Sequence, residues 1–237
     1  MKVKLSLVAL SAFATMSFAT AGNEINKKIE SLPMFQSVGA EIINVKEIGS
    51  LYQIRGVANK GQRTGFDGFI TKDLETVVLG KAFNANNGKE FLLDLDTSKL
   101  KDSAVFKRGS GAKVYFLFTD PECPYCIDIE KEIKTLKEDV TLYTILFPLD
   151  FHKNARNMSY YVLNNTGDDA RAKAFSSVVN KGDDYKKAAY TAEQMQSFNS
   201  FIDDGINIAE QFGVSGTPTL MNAVGHRVDF GEIIKKQ

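Results

Sequence analysis

The sequence predicts two folded parts of different class, an α+β unit built on a small antiparallel sheet followed by an α/β unit in which strands and helices alternate. Three observations predict this. Four short strand candidates succeed one another between residues 41 and 80 with turn residues between them. After Val114 the pattern changes to strand, helix, strand. An Asn/Gly-rich break at Asn84–Gly88 separates the two regimes.

In order, Asn23–Phe35 reads as a short helix closing near Pro33, and Glu41–Val45, Leu51–Val57, Thr64–Thr71 and Glu75–Gly80 read as strands. Gly49-Ser50, Asn59-Lys60-Gly61 and Lys72-Asp73 supply the turns. Asp96–Lys107 reads as a charged helix with an Asp or Thr cap, inside a linker spanning 85–111. Val114–Phe118 is apolar without alternation, as in a strand buried on both faces. Ile129, Ile133 and Leu136 then form one stripe on a helix from Pro124 to about Lys137, and Val140–Phe147 is again a strand. A strand–helix–strand unit of this length crosses over right-handed, so its two strands should be parallel. The resulting domains are 22–84, the linker 85–111, and 112–237 with a helix-rich insertion at about 152–205, where Met158, Tyr161, Val162, Phe175, Val178 and Phe198 are candidate core positions.

At the N-terminus, Lys2 and Lys4 precede an apolar run, Leu5–Phe18, that ends in Ala19-Thr20-Ala21. This reads as a secretory leader over residues 1–21, its apolar run too short for a membrane span of about 20 residues. A bacterial periplasm is the expected location. The whole chain carries 29 basic and 29 acidic side chains, and that balance argues against nucleic acid as a partner. With 43% hydrophobic residues the chain can fill one large core or two ordinary ones, so organisation rather than length has to set the domain count.

The two cysteines of the chain form Cys123-Pro124-Tyr125-Cys126, placed where a buried strand ends and a helix begins. Three readings are open: a redox-active dithiol, a structural bridge, or half of a metal site. The spacing favours the first. A staple closing four residues restricts the unfolded chain by only about 1.9 kcal/mol, against roughly 3 for fifteen residues. Zinc needs about four ligands, and beyond this pair the chain offers only His152 and His226 as nitrogen donors, far apart in sequence. No metal or cofactor is expected. In a dithiol, Cys123 would be the attacking thiolate at the positive end of the helix, and Cys126, one turn inside, the more buried resolving thiol. The helix field supplies only about 0.3–1 kcal/mol, so direct N–H donation to the sulfur would have to contribute more.

Asp120 and Glu122 precede the motif and read as solvated turn residues rather than catalytic groups; His152 and His226 read as local hydrogen-bonding residues. Further on, Gly216-Thr217-Pro218 opens an apolar strand. A proline there is compatible with a cis peptide, although only about 5–6% of X-Pro bonds are cis.

Phe118-Thr119-Asp120-Pro121-Glu122 leading into Cys-Pro-Tyr-Cys, together with Gly216-Thr217-Pro218, resembles the DsbC/DsbG family of periplasmic thiol-disulfide isomerases, and Cys-Pro-Tyr-Cys is closer to the DsbG type. Phe69–Asp73 and Val77–Gly80 are similar to the last strands of that family's N-terminal domain. The resemblance implies a cystatin-like dimerisation domain, a linker helix, and a thioredoxin fold with a helical insertion, assembled as a homodimer. It implies a cis Pro218 packed against the dithiol, with Pro124, Tyr125, Thr217 and Pro218 contacting substrate. Disulfide-containing or misfolded secreted proteins would be the clients and a DsbD-like membrane reductase the electron donor. Two features depart from the family: the tail after Gly231 is short for a closing helix, and there is no second cysteine pair, which fits the DsbG type. A DsbA-like oxidase and a periplasmic chaperone with secondary redox activity are the alternatives.

Overall fold

The computed structural model describes residues 24–59 and 64–235. The expected leader and the Lys60-Gly61 part of an expected turn lie outside them. The chain divides into two compact units, with the main division at Lys81/Ala82.

In the first unit, helices α1 (24–30) and α2 (Pro33–Ser37) precede strands β1 (Ala40–Ile48), β2 (Leu51–Ala58), β3 (Thr64–Thr71) and β4 (Val77–Leu79). The sheet order is β1-β2-β3-β4, with β1/β2 and β3/β4 antiparallel and a bulge in β1 between Ile42 and Asn44. Ile29 and Phe35 from the helices are buried with Ile42, Ile54 and Ile70 from the sheet. Two short helices and one sheet face thus make a single apolar layer. The sheet ends in β4, whose Val78 and Leu79 are 59% and 52% exposed.

The second unit holds α3 (Ser98–Asp102), β5 (Phe106–Arg108), β6 (Lys113–Thr119), α4 (Pro124–Glu132), β7 (Val140–Leu146), α5 (Ala155–Leu163), α6 (Asp168–Val179), α7 (Ala192–Gln211) and β8 (Thr219–Asn222). Its sheet runs β5-β7-β6-β8. Strands β6 and β7 are parallel, as the strand–helix–strand pattern predicts, while β5 and β8 are antiparallel edges. Phe116 and Phe118 are fully covered on one face, with Leu100, Ala209 and Phe212 in the same cluster. Ile133, with Ile129 and Leu136 partly buried beside it, joins Leu117 and Leu142 in another cluster.

The segment expected as a linker departs from its sequence reading. The helix expected over 96–107 is only α3, and Val105 and Phe106 are buried at the start of β5. Burying each of these side chains is worth about 1.5–3 kcal/mol, whereas helix propensity offers only tenths of a kcal/mol per residue; burial decides. Leu95 and Leu100 likewise enter the core of the second unit. Between β5 and β6 the chain passes so close to Asp139 that a Cβ on Gly111 would stand 1.9 Å from its carbonyl carbon.

The helix-rich insertion reaches beyond 205, because α7 continues unbroken to Gln211. It starts at a capping box in which Thr191 and Gln194 satisfy each other's backbone N–H groups. Met158, Val162, Phe175 and Val178 are buried, with Tyr161 and Phe198 packed against them. The tail forms a 3-10 turn at Phe230–Glu232 and a bridge from Ile234 to Leu136, not a closing helix within the described residues. Among the described residues no helix is long and apolar enough to cross a membrane.

Candidate active site

Sheet topology assembles the site. Strand β6 runs directly into the Cys123–Cys126 segment. Because β8 is antiparallel to β6, with Phe118 opposite Thr219, the start of β8 lies beside the end of β6 and carries Thr217 and Pro218 to the dithiol. Strand β7 is parallel to β6, with Thr119 opposite Leu146, so the loop leaving β7 emerges at the same end. Two segments distant in sequence thereby flank the cysteine loop.

Cys123 is the N-cap of α4 and Pro124 occupies the first helical position, where its missing N–H costs no intrahelical bond. The Thr217–Pro218 peptide is cis. The Cys123 thiol lies 3.6 Å from the Thr217 carbonyl oxygen, to which it donates, and it accepts no capping N–H. This differs from the N–H donation expected from sequence: the sulfur, as a thiol, turns its proton to the opposite strand. Both cysteines are free and buried, Cys123 at 4% and Cys126 at 2% exposure. The difference in burial foreseen between them is therefore small, and the Cys123 sulfur is covered with its proton on the Thr217 carbonyl.

Burial pushes the Cys126 thiol up to about 12, outweighing the Asp120 N–H, which points at its sulfur from 3.4 Å, and the nearby Thr119 and Thr217 side chains. Cys126 is accordingly a protonated thiol at neutral pH. Of the other residues expected at the site, Pro124 is exposed, Tyr125 is 73% exposed, and Thr217 and Pro218 are half-buried.

The sequence reading missed Asp120. It is completely buried rather than solvated. Its Oδ1 accepts the backbone N–H groups of Glu122 at 2.7 Å and Cys123 at 3.2 Å, and its Oδ2 accepts that of Leu149 at 2.7 Å and lies 2.8 Å from His152 Nδ1. Glu122 in turn accepts the backbone N–H of Asn154 at 2.6 Å and its Nδ2 at 2.8 Å. The one signal in the sequence was an Asp directly at the end of a buried strand. Phe151, 74% exposed and edge-on to the His152 ring, was also missed. His226 stands away from this group, with Nε2 3.0 Å from Asp94. Among the described residues no group of three or more His, Cys, Asp or Glu side chains could hold a metal ion.

Comparison with known proteins places a thioredoxin-like domain model on residues 100–230, more than half of the chain. No curated protein matches. Among solved structures, a disulfide interchange protein from Neisseria gonorrhoeae is 28% identical with a TM-score of 0.39, over 50% of this chain and 79% of that one. The DsbG of Helicobacter pylori is 11% identical with a TM-score of 0.41, over 84% and 99%. A protein described as a possible protein-disulfide isomerase from Pseudomonas syringae is 16% identical with a TM-score of 0.42, over 53% and 89%. With a dithiol heading a helix, the Thr217–Pro218 turn against it and the family model covering residues 100–230, which hold both, the chain belongs to the thioredoxin-like domain family and is a thiol-disulfide oxidoreductase.

Proposed function

We propose that the protein is a periplasmic thiol-disulfide interchange enzyme of the DsbC/DsbG type, which isomerises or reduces non-native disulfides in secreted proteins. The observation that carries this reading is the placement of the two thiols: Cys123 caps the helix beside the Thr217 carbonyl, and Cys126, one turn on in the same helix, is buried and kept protonated. In the attack, the Cys123 thiolate forms a bond to one client sulfur and releases the other as a thiolate. If that thiolate attacks another client disulfide, and the thiolate released there attacks the client sulfur bonded to Cys123, the Cys123 thiolate is regenerated and pairing is exchanged with no net redox change. If instead Cys126 gives up its proton and attacks the Cys123 sulfur, the client leaves as a thiol and the Cys123–Cys126 disulfide retains the oxidation. A DsbD-like membrane reductase would then return two electrons. Pro124, Tyr125 and the backbone at Thr217 and Pro218 would contact the client chain.

The N-terminal unit serves as a cystatin-like dimerisation domain in this reading. Its exposed apolar edge strand β4 supports that role, because an unpaired edge of this kind invites pairing with a second chain. Replacing Val78 by Lys should then give a monomer by ultracentrifugation.

The enzymatic test is repair of a client with scrambled disulfides. Cys123→Ala should abolish it, and Cys126→Ala should accumulate covalent client adducts. Full repair by Cys123→Ala would favour the chaperone reading. A dithiol found mostly oxidised in cells would favour a DsbA-like oxidase.

A further inference from the structure

The end of β6 gathers hydrogen-bond donors around the sulfur that has to resolve the adduct. The Asp120 N–H points at Cys126 Sγ from 3.4 Å. The carbonyl of that same peptide, Thr119 O, accepts the Phe147 N–H at 2.8 Å, so the chain leaving β7 holds the peptide from its far side and polarises its N–H towards the sulfur. The Thr119 side chain, in a residue only 1% exposed, hydrogen-bonds the same sulfur, and the Thr217 side chain lies near it. Thr217 Oγ1 is buried and has no hydrogen-bond partner among the described residues. Thr219 shows the ordinary alternative two residues on, its hydroxyl donating to the Gly216 carbonyl at 2.8 Å.

A thiol sulfur is a weak acceptor, so donors aimed at it gain little in the resting chain. A thiolate is charged, and a hydrogen bond to a charged group is roughly twice as strong as a neutral one. Burial opposes that thiolate, holding the Cys126 thiol at about 12. The donors are therefore placed where charge develops during the reaction rather than where it rests.

We propose that the Thr119 hydroxyl, together with the Asp120 N–H, is a catalytic donor to the Cys126 sulfur in the resolving attack. The inference rests on the interchange reading above and assigns a residue to its second step. In that step the Cys126 S–H bond breaks, the Cys126 sulfur bonds to Cys123 Sγ, and the bond from Cys123 to the client sulfur breaks. The proton ends on the departing client sulfur, which is reduced as the Cys123–Cys126 pair is oxidised. Negative charge passes through the Cys126 sulfur on the way, and Thr119 and Asp120 meet it there.

The test mixes the reduced full chain with one equivalent of dithiobis(nitrobenzoate), whose coloured thiolate is released once when Cys123 attacks and again when Cys126 resolves. Thr119→Val, which keeps the β-branched shape, should slow the second release about tenfold relative to the first. Thr119→Ser should run close to the parent, and Thr119→Ala should be as slow as Thr119→Val. The serine and alanine variants differ by the hydroxyl alone, so they decide the result if valine disturbs the packing. Equal second releases in those two variants, or a slowing shared equally by both releases, overturn the donor. A parent chain that stops after the first release overturns it too. A parent that completes both releases but leaves scrambled client disulfides unrepaired strikes the interchange reading, while the serine and alanine pair still decides the donor.

Discussion

The carboxyl group of Asp120, sealed from solvent, faces the His152 ring with Oδ2 2.8 Å from Nδ1, and through its other oxygen it holds the backbone of Cys123. It therefore ties the cysteine loop to the loop that follows β7. Asp120→Ala would leave the N–H groups of Glu122 and Leu149 without their acceptor, while that of Cys123 keeps the backbone carbonyl oxygen of residue 120 at 3.2 Å. At about 1–3 kcal/mol for each buried group left unsatisfied, partly relieved by entering water, a total loss of about 3 kcal/mol is expected in urea unfolding. Glu122→Ala, at a half-buried site, should cost no more than about 1 kcal/mol. Equal costs for the two would mean that the buried carboxyl group is not the anchor.

Cys126 gives the reduced protein a pH signature. Its thiol is held at about 12 in the folded chain against an ordinary 9.0. Below pH 9 both states keep the proton and stability is unaffected. As pH rises from 9 towards 12 the unfolded thiol ionises first, so the folded state loses on the order of 1 kcal/mol per pH unit. Urea midpoints of the reduced parent and of Cys126→Ala should accordingly converge between pH 8 and pH 10.5. Parallel midpoints across that range would mean that the buried thiol ionises as an exposed one does.

What was legible in the sequence follows the range of the interactions. The parallel β6–α4–β7 unit was readable because each element carries its own apolar periodicity, and the dithiol because it sits at their junction. Asp120 was not, because its partners Leu149 and His152 arrive from a loop that only the β6/β7 register brings near. Strand β5 was hidden for a related reason: three residues are too few to show a period, and Phe106 is drawn out of a helical pattern by the core it fills. The near-equal burial of the two cysteines was equally invisible, since Thr217, which meets the Cys123 sulfur, lies on the far side of the helical insertion in sequence.

Behind the dithiol, α4 is fixed by a buried ion pair. Glu130 Oε1 accepts from Arg108 Nη2 and from Ser176 Oγ, both at 2.6 Å, joining α4, β5 and α6, and the Arg108 guanidinium also lies 4.7 Å from the centre of the Phe106 ring. The side chains are only 18% and 5% exposed, so removing one charge leaves the other uncompensated. Glu130→Ala should cost about 3–5 kcal/mol, and the double variant Arg108→Met/Glu130→Leu should recover most of that loss. A single variant no weaker than the double one would show that the pair contributes packing alone.

Tyr125 provides the complementary case of a side chain whose exposure carries its meaning. It follows Pro124 in the first turn of α4 and is 73% exposed, so its ring does little for the fold. Tyr125→Ala should shift the unfolding free energy by no more than about 0.5 kcal/mol. If the ring rests on the client chain beside the disulfide, the same variant should raise KM for a protein disulfide by about three- to tenfold, a loss of roughly 1 kcal/mol of binding, and leave kcat nearly unchanged. A fall confined to kcat would instead place Tyr125 in the exchange step, and unaltered kinetics would remove it from the client surface.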